Sequence, residues 1–379
     1  MSKLFENARK RELVPFRFDV VGSFLRPQAI KEAREKFAAG AITRAELAKV
    51  EDSEIEKLVA QEKATGLKAV TDGEFRRSYW HLDFFWGFAG VEHIVLDHGY
   101  FFHGEETRAD SARLSGKIRF SNHPFLSHYR FLKQVAGNGI IARQNIPAPA
   151  QFFAELVRGE NKKTIAHHYP DREELYKDIS AAYHQVILAF YDLGCRNIQL
   201  DDCTWGMLCD QNFWSTMAGK GYDVQALQEL YLRLNNEAIA DLPADLTVTT
   251  HVCRGNYHST WATSGGYEPV APTLLARENV NAFYLEFDTE RAGNFAPLRH
   301  VPASKPVVLG LFSSKTGVLE DKNVIFSRIQ EATQYLPIDQ LCISPQCGFA
   351  STEEGNILTE EQQWAKLRFI KEIADEIWK

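Results

Sequence analysis

The sequence predicts an α/β protein in which parallel strands and helices alternate and close into a single (β/α)8 barrel. About eight short strand-like segments are each followed by a helical pattern, and repeated βα units form a parallel sheet. The 379 residues contain no clear linker, repeat or low-complexity tract, so one domain over residues 1–379 is expected. An open, doubly wound sheet is the alternative. No G-x-G-x-x-G or Walker loop follows any strand, which favours the barrel.

The N-terminal part of the chain supplies the first two units. Residues 16–22 are typical of a strand, and Pro27 stands where a proline commonly opens a helix. Gly66 follows a long amphipathic pattern and is expected to end that helix. This part is therefore predicted to contain helices at residues 28–38 and 43–64 and a second strand at residues 67–71.

The middle of the chain departs from this alternation and then returns to it. Residues 84–122 contain alternating polar and apolar segments, which we interpret as a β-hairpin insertion. A last helix is predicted to begin near Thr359, where Thr359 and Gln362 fit a capping box. The remaining core strands are predicted at residues 139–144, 197–200, 246–253, 281–287, 306–312 and 340–344.

Composition and charge exclude several classes of function. Hydrophobic residues make up 45% and charged residues 25% of the chain, as in ordinary globular proteins. A net charge of -7 argues against a nucleic-acid or membrane-surface partner. No signal-peptide core or membrane-spanning stretch is present, so a cytoplasmic protein is expected. In a reducing compartment, clustered cysteines among the six of this chain indicate metal binding or catalysis.

Polar residues gather at or just after the predicted carboxyl ends of the strands. In a barrel these ends converge on the one face where active sites are built. Glu286 interrupts an apolar run, and burial of an unpaired carboxylate at a strand end is costly unless it has a function. The candidate functional residues are Ser23, Glu74, Asp201, His251, Cys253, Glu286, Lys315 and Cys347.

The motif His251-Val252-Cys253 is the most specific feature of this set. Side chains two apart on a strand point to the same face, so the imidazole and the thiol would project together. Zinc is the usual ion in sites of mixed nitrogen and sulfur ligands. A buried cysteine beside a hydrogen-bonded histidine is the structural alternative for this pair alone.

Taken in order, the motifs resemble the catalytic domain of cobalamin-independent methionine synthase. They cover nearly the whole chain, which is similar to the C-terminal barrel of the two-barrel enzymes standing alone, as in short core relatives. The motifs are Val-Gly-Ser at 21–23, Asp-Gly-Glu at 72–74, Ile-Gln-Leu-Asp-Asp at 198–202, His-x-Cys at 251–253, the strand residue Glu286 and Pro-Gln-Cys-Gly at 345–348.

This resemblance implies a zinc-dependent S-methyltransferase similar to 5-methyltetrahydropteroyltriglutamate–homocysteine methyltransferase. Such an enzyme would act in methionine biosynthesis: Zn²⁺ would activate the homocysteine thiol, and methyl-folate or a methyl-corrinoid protein would donate the methyl group. By the resemblance, Ser23 matches the residue that holds the substrate carboxylate, and Glu74 and Asp201 match those that hold its ammonium group. His251, Cys253, Glu286 and Cys347 match the zinc ligands.

The chain also departs from the family pattern. Lys315 stands near where the family carries a histidine thought to protonate the folate leaving group, and it joins the zinc-binding His251, Cys253 and Cys347 as a candidate catalytic residue. Asp202 stands where a glutamate is usual, and Trp205 is a candidate to stack on a flat donor.

Two other functions remain open from the sequence. An epoxyalkane:coenzyme M transferase-like enzyme would use the same zinc–thiol chemistry, but its sulfonate substrate would be repelled by Glu74 and Asp201. A non-catalytic zinc-binding protein would carry a closed structural site, which usually has more cysteines and fewer carboxylates.

Overall fold

A curled parallel sheet forms the centre of the protein. The computed structural model describes Phe5 and residues 8–221 and 223–379; the predicted domain span also includes positions 1–4, 6, 7 and 222, which lie outside the described residues. The strands are β1 (Ala69–Val70), β2 (Ala89–Val95), β3 (Phe101–Phe102), β4 (Glu105–Glu106), β5 (Asp110–Arg119), β6 (Ile141–Pro147), β7 (Asn197–Asp201), β8 (Thr247–Val252), β9 (Ala282–Glu286), β10 (Val307–Phe312) and β11 (Leu341–Pro345).

Seven of these strands are parallel and follow the order β1-β6-β7-β8-β9-β10-β11. All of the residues in β7, β9, β10 and β11 are buried, as expected when helices cover one face and a packed interior fills the other. The curl of the sheet brings its two edges toward each other. This arrangement confirms the predicted α/β barrel and excludes the open, doubly wound alternative.

The predicted first strand, residues 16–22, lies between the two edge strands. Phe18 forms a parallel bridge with Ile343 of β11, and Ser23 forms one with Gly73 just after β1. The segment thus occupies the eighth position, but it is not a continuous strand. The reason is Asp19, whose carboxylate accepts hydrogen bonds from the backbone N–H groups of Phe16 at 3.0 Å and Val20 at 2.8 Å, which interrupts the regular ladder pattern.

Helices cover the outside of the sheet. α2 begins with a capping box of Thr43 and Glu46, and the predicted box of Thr359 and Gln362 is present at the start of α13. The helices are α1 (Gln28–Ala38), α2 (Arg44–Thr65), α3 (Leu82–Phe85), α4 (Phe125–Ala136), α5 (Pro149–Leu156), α6 (Lys162–His168), α7 (Arg172–Asp192), α8 (Cys203–Leu208), α9 (Gln211–Gly219), α10 (Val224–Ala238), α11 (Leu274–Arg277), α12 (Lys322–Ala332) and α13 (Glu360–Ile377). Among the described residues, no helix is both long and apolar enough to span a bilayer.

The insertion predicted at residues 84–122 is a β-hairpin. β2 and β5 pair in antiparallel fashion, and β3 and β4 form a second, shorter hairpin between them. The paired region begins at Ala89, later than predicted, because Phe84 and Phe85 are fully buried in the short helix α3. At the tip of the insertion, the His103 N–H donates to the Trp261 carbonyl at 2.7 Å, which ties it to the loop after β8.

A buried ion pair fills the interior of the barrel below the strand ends. The guanidinium of Arg143 on β6 lies 2.9 Å from the Asp19 carboxylate, and both side chains are inaccessible to solvent. The Tyr284 hydroxyl donates to Asp19 at 2.8 Å and accepts from Arg143 at 2.9 Å. Such a pair is tolerated in the core only because its hydrogen bonds are satisfied. It fixes the closing segment to the opposite strands.

Candidate metal and substrate site

A cavity of about 930 Å³ opens at the carboxyl ends of the core strands. Its wall includes residues from the strand ends and from the hairpin insertion, among them Tyr100 and Phe102. Six of the predicted site residues line it, namely Ser23, Glu74, Asp201, His251, Cys253 and Cys347. The predicted convergence of strand ends therefore holds for this set.

Three potential metal ligands meet at this cavity. One ligand atom from each of His251, Cys253 and Cys347 lies within 4.8 Å of the other two, and all three residues are buried. His251 is the last residue but one of β8, Cys253 follows that strand directly, and Cys347 comes just after β11. Atoms this close can bind a single divalent ion, and their nitrogen and sulfur chemistry suits zinc.

The hydrogen bonding of His251 leaves one ring nitrogen available. Its Nδ1 lies 3.2 Å from the carbonyl oxygen of Tyr284, and because a carbonyl can only accept, Nδ1 must carry the proton. Its Nε2 is buried and has no hydrogen-bond partner among the described residues. Metal-binding histidines usually donate their second ring N–H to such a carbonyl, so Nε2 is oriented as a ligand.

Two glycines allow the backbone to approach this cluster closely. A Cβ on Gly348 would lie 1.9 Å from the Ser23 hydroxyl, and one on Gly206 would lie 1.9 Å from the Cys253 carbonyl oxygen. The Asn256 side chain also donates to the Gly348 carbonyl at 2.8 Å. These contacts fix the loop after β8 against the loop after β11, and they hold Cys253 and Cys347 in position.

Glu286, the fourth expected ligand, is not in the cluster. It is fully buried at the end of β9. Its Oε2 accepts from the backbone N–H of Arg254 at 2.8 Å, and its Oε1 accepts from the Arg291 guanidinium at 2.8 Å. In the structure this carboxylate is therefore paired with the Arg291 guanidinium and the Arg254 N–H, and its role as a metal ligand stays a prediction.

Cys203 is a site residue that the sequence analysis did not single out. Its Sγ lies 3.5 Å from the Sγ of Cys253, and it lines the same cavity. The contact with Cys253 raises the pKa of the Cys203 thiol well above its ordinary value, whereas the same contact lowers the pKa of Cys253. The position of Cys203 directly after Asp201-Asp202 could have indicated a place in the site. In the sequence, however, a cysteine in a predicted loop looks the same as a packing residue.

The predicted substrate residues surround the next part of the cavity. Glu74 adopts a left-handed backbone conformation with φ 62°, and its Oε1 pairs with Arg77 at 3.2 Å. Burial raises the pKa of Glu74 to about 7 and that of Asp201 to about 6. The Ser23 hydroxyl accepts from the Ala350 N–H at 3.3 Å, which leaves its own proton free to donate. The arrangement offers two carboxyl groups and a hydroxyl donor to one ligand.

Lys315 and Trp205 lie behind the cavity wall. The Lys315 ammonium is buried without a hydrogen-bond partner in the described part of the chain. The hydrogen bond to Cys253 and burial raise the pKa of the Cys347 thiol well above its ordinary value, and the charge of Lys315 partly opposes this rise. Trp205 is fully buried and packs edge-on against Tyr231, with ring centroids 6.2 Å apart. The predicted stacking of Trp205 on a ligand therefore needs correction: α8 turns this side chain into the core.

Comparison with known proteins agrees with the resemblance found in the sequence motifs. The family model described as "Cobalamin-independent synthase, Catalytic domain" matches residues 162–375. The uncharacterized protein YxjH of Bacillus subtilis (strain 168) is 46% identical over 375 residues, which cover 99% of this chain and 98% of that protein.

Two solved structures are similar over almost the full length. One, from Listeria monocytogenes, is provisionally described as a vitamin-B12 independent methionine synthase; it is 42% identical, with a TM-score of 0.78 and coverage of 97% of this chain and 100% of that chain. The other is a B12-independent methionine synthase from Shewanella sp. W3-18-1 in complex with selenomethionine. It is 16% identical, with a TM-score of 0.69 and coverage of 95% and 97%, and it supports the fold alone.

Proposed function

This chain belongs to the cobalamin-independent methionine synthase family, and on that premise we propose that it methylates the sulfur of homocysteine at a zinc centre, forming methionine. The observation that carries this proposal is the meeting of His251, Cys253 and Cys347 within 4.8 Å on a cavity that Glu74 and Asp201 also line. The imidazole and the two thiols suit a metal ion that binds a substrate thiol, and the two carboxyl groups suit an ammonium group.

Zinc would be held by the Nε2 of His251 and the thiolates of Cys253 and Cys347. The unpartnered, buried Nε2 of His251 fits this role, since an orphaned ring nitrogen is otherwise costly. Bound zinc would lower the pKa of a substrate thiol, so that the nucleophilic thiolate is present at neutral pH. The cluster faces a large cavity, which favours an open catalytic site over a closed structural one.

The chain's own residues would bind and orient the amino-acid end of the substrate. Glu74 and Asp201 would attract the ammonium group, and the Ser23 hydroxyl would donate to the carboxylate. A thiol that carries a sulfonate in place of the ammonium group would meet the carboxyl groups of Glu74 and Asp201 and be repelled. These two residues therefore favour homocysteine over a coenzyme M-like acceptor.

The methyl donor would occupy the outer part of the cavity. Apolar and aromatic side chains from the insertion and from α8 and α9 line this part, including Leu96, Tyr100, Phe102, Met207 and Phe213. Such walls suit a flat, largely apolar group, and holding the donor in line with the sulfur would supply much of the rate acceleration. Methyl-folate and a methyl-corrinoid protein are the two donors we propose.

The proposal can be tested with the purified chain. Metal content is measured first, and methionine formation is then followed by mass spectrometry with homocysteine and either methyl-folate or a methyl-corrinoid. Activity should disappear after chelation and return with Zn²⁺. A matched reaction with coenzyme M should give little methylated product. Undiminished methylation in the metal-free protein would contradict the proposed chemistry.

A further inference from the structure

The aromatic wall of the cavity contains a buried polar atom that lacks a partner. His81 lines the cavity and is 3% exposed, and its ring Nδ1 has no hydrogen-bond partner among the described residues. Buried polar groups in proteins are almost always paired, so an unpaired one beside a cavity calls for an explanation. A ligand that fills the cavity can supply the missing partner.

The neighbours of His81 fix which of its ring nitrogens carries the proton. The Tyr100 hydroxyl donates to the Glu155 carboxylate. Because its single proton is engaged there, the Tyr100 oxygen can only accept from the Nε2 of His81, which lies 2.8 Å away. Burial, with a smaller contribution from the charge of Arg158, lowers the pKa of His81 to about 3. The ring is therefore neutral at pH 7, and Nδ1 presents a lone pair that accepts hydrogen bonds.

Aromatic packing holds the His81 ring in this orientation. The ring packs edge-on against Phe85 and Tyr100, with centroids 5.7 and 5.2 Å away, and lies 4.5 Å from the ring of Trp80. Turning the imidazole would break its hydrogen bond to Tyr100 as well as these contacts. Nδ1 is thus a preorganised acceptor, which lowers the cost of ordering the site when a ligand binds.

A second acceptor without a partner belongs to the same wall. Gln151 lines the cavity, and its Oε1 is buried with no hydrogen-bond partner in the described part of the chain. Gln151 stands four residues before Glu155 on α5, so the two side chains lie on one face of the helix. Glu155 is the residue that binds Tyr100. This wall therefore carries an imidazole nitrogen and an amide oxygen that are both open to a donor.

We propose that His81 and Gln151 bind the N–H groups of the methyl donor and determine which donor the enzyme accepts. This inference rests on the proposed function and deepens it, because Tyr100, the partner of His81, lines the part of the cavity proposed for the donor. Methyl-folate has a 2-aminopyrimidine edge with adjacent N–H groups. The ring nitrogens of a corrinoid all bind cobalt and carry no hydrogen. The two acceptors therefore select methyl-folate.

Two substitutions of His81 separate ligand binding from a structural role. The glutamine amide in His81→Gln reaches the Nε2 position and can still donate to Tyr100, but it leaves no acceptor at Nδ1. The shorter amide in His81→Asn does the reverse. With 5-methyltetrahydrofolate as the donor, His81→Gln should raise the KM for this donor roughly 10- to 100-fold and leave the KM for homocysteine unchanged. His81→Asn should raise the donor KM by less than about fivefold.

His93→Gln is the matched control, since His93 is an exposed histidine of the insertion that does not line the cavity. Both KM values should stay at the wild-type level in this variant. Gln151→Ala should raise the donor KM in the same direction as His81→Gln.

A second measurement uses the unmodified protein and does not depend on whether a variant folds. Isothermal titration calorimetry compares 5-methyltetrahydrofolate with its 2-desamino-2-methyl analogue, in which a methyl group of similar size replaces the amino group. The analogue should bind roughly 10- to 100-fold more weakly, and this difference should shrink in His81→Gln.

The outcomes distinguish this inference from the proposed function. Equal affinity for the two compounds, an unchanged donor KM in His81→Gln, or a larger loss in His81→Asn than in His81→Gln would overturn the inference. Methylation of homocysteine by a methyl-corrinoid but not by methyl-folate would also overturn it and leave the zinc–thiol chemistry intact. An enzyme that methylates homocysteine with neither donor would overturn both.

Discussion

At the scale of single residues, the buried carboxyl group of Glu74 makes the charge of the site depend on pH. Burial raises its pKa to about 7, against the opposing charges of Arg77 and Arg26 and with a small contribution from Asp201 and Asp72. The folded protein thus holds this proton at a pH where the unfolded chain has lost it. Ionisation of Glu74 therefore costs stability as the pH rises from about 4.5 to 7, a cost that a bound ammonium group would offset.

This predicts a pH dependence of substrate binding. The KM for homocysteine should fall as the pH rises through about 7, because Glu74 becomes an anion there while the α-amino group is still largely protonated. Glu74→Gln should raise KM roughly 10- to 100-fold at pH 8 and flatten this dependence. Steady-state kinetics between pH 6 and 8 on a common buffer series would measure both effects.

Ser23→Ala provides the control for that profile. It removes an uncharged donor, so KM should rise by roughly a factor of five at every pH without a change in the shape of the curve. A Glu74→Gln enzyme with the wild-type pH profile would show that Glu74 does not hold the ammonium group.

At the scale of the elements, the hairpin insertion forms one wall of the cavity and is tied to the barrel by a buried network. The Tyr100 hydroxyl donates to Glu155 of α5 and lies 2.8 Å from the Nε2 of His81. Glu155 also accepts from the hydroxyl of Ser111 on β5. β5 packs into the core, whereas β2, β3 and β4 are half-buried or exposed, so these polar contacts should control how readily the outer part of the insertion opens.

Removing one of these contacts should loosen the insertion selectively. In Tyr100→Phe, Glu155 and His81 lose a partner, and amide hydrogen exchange over residues 95–109 should accelerate while exchange in β7 and β8 is unchanged. Lys117→Ala is the matched control, because its pair with Glu174 is exposed on both sides and contributes little. Uniform acceleration across the barrel would contradict a local role.

The segment that closes the barrel depends on one carboxylate. Asp19 pairs with Arg143 at 2.9 Å, where neither side chain is accessible to solvent, and it also accepts from two backbone N–H groups of its own segment. Asp19→Asn should lower the free energy of unfolding by about 3–5 kcal/mol, as expected when a buried pair loses one partner. Urea denaturation followed by circular dichroism would measure the loss.

A surface pair serves as the comparison for Asp19. Arg196 and Asp245 are 43% and 59% exposed in their pair, so Asp245→Asn should change the free energy of unfolding much less than Asp19→Asn does. Equal losses in the two variants would show that the interior pair does not stabilise barrel closure.

At the scale of the whole molecule, the proposed metal ligands come from two distant strands. Cys253 follows β8 and Cys347 follows β11, so an ion held by both would cross-link parts of the barrel that are separated by two further strands. Zinc bound only by the folded state should therefore stabilise the fold by about 2.7 kcal/mol at a hundredfold excess over its Kd.

Differential scanning calorimetry can measure this linkage. The Tm should rise with the concentration of free zinc and fall after chelation, and Cys347→Ser should show a smaller response to both treatments. The same response in the variant and the parent protein would mean that the ion which stabilises the fold lies elsewhere.

The sequence by itself determined the barrel fold and the location of six candidate residues at one cavity. Alternating strand and helix patterns predict a barrel, and a barrel brings strand ends together whatever the exact register. Ser23, Glu74, Asp201, His251, Cys253 and Cys347 could therefore be assigned to one cavity from their places after strands. The alternating polar and apolar pattern predicts the hairpin insertion. The observed hairpin begins later than predicted because Phe84 and Phe85 pack into the core.

Only the tertiary structure decided which neighbours each side chain meets. Glu286 ends a strand as predicted, yet the loop after β9 brings Arg291 to its carboxylate. The turn after Asp202 brings the Cys203 sulfur to 3.5 Å from that of Cys253 and places Trp205 in the core. These outcomes depend on rotamers, loop paths and ion pairs between residues far apart in the chain. The periodicity of the sequence cannot predict these contacts. It indicates which face of a strand or helix a residue occupies, but not which residues pack against that face.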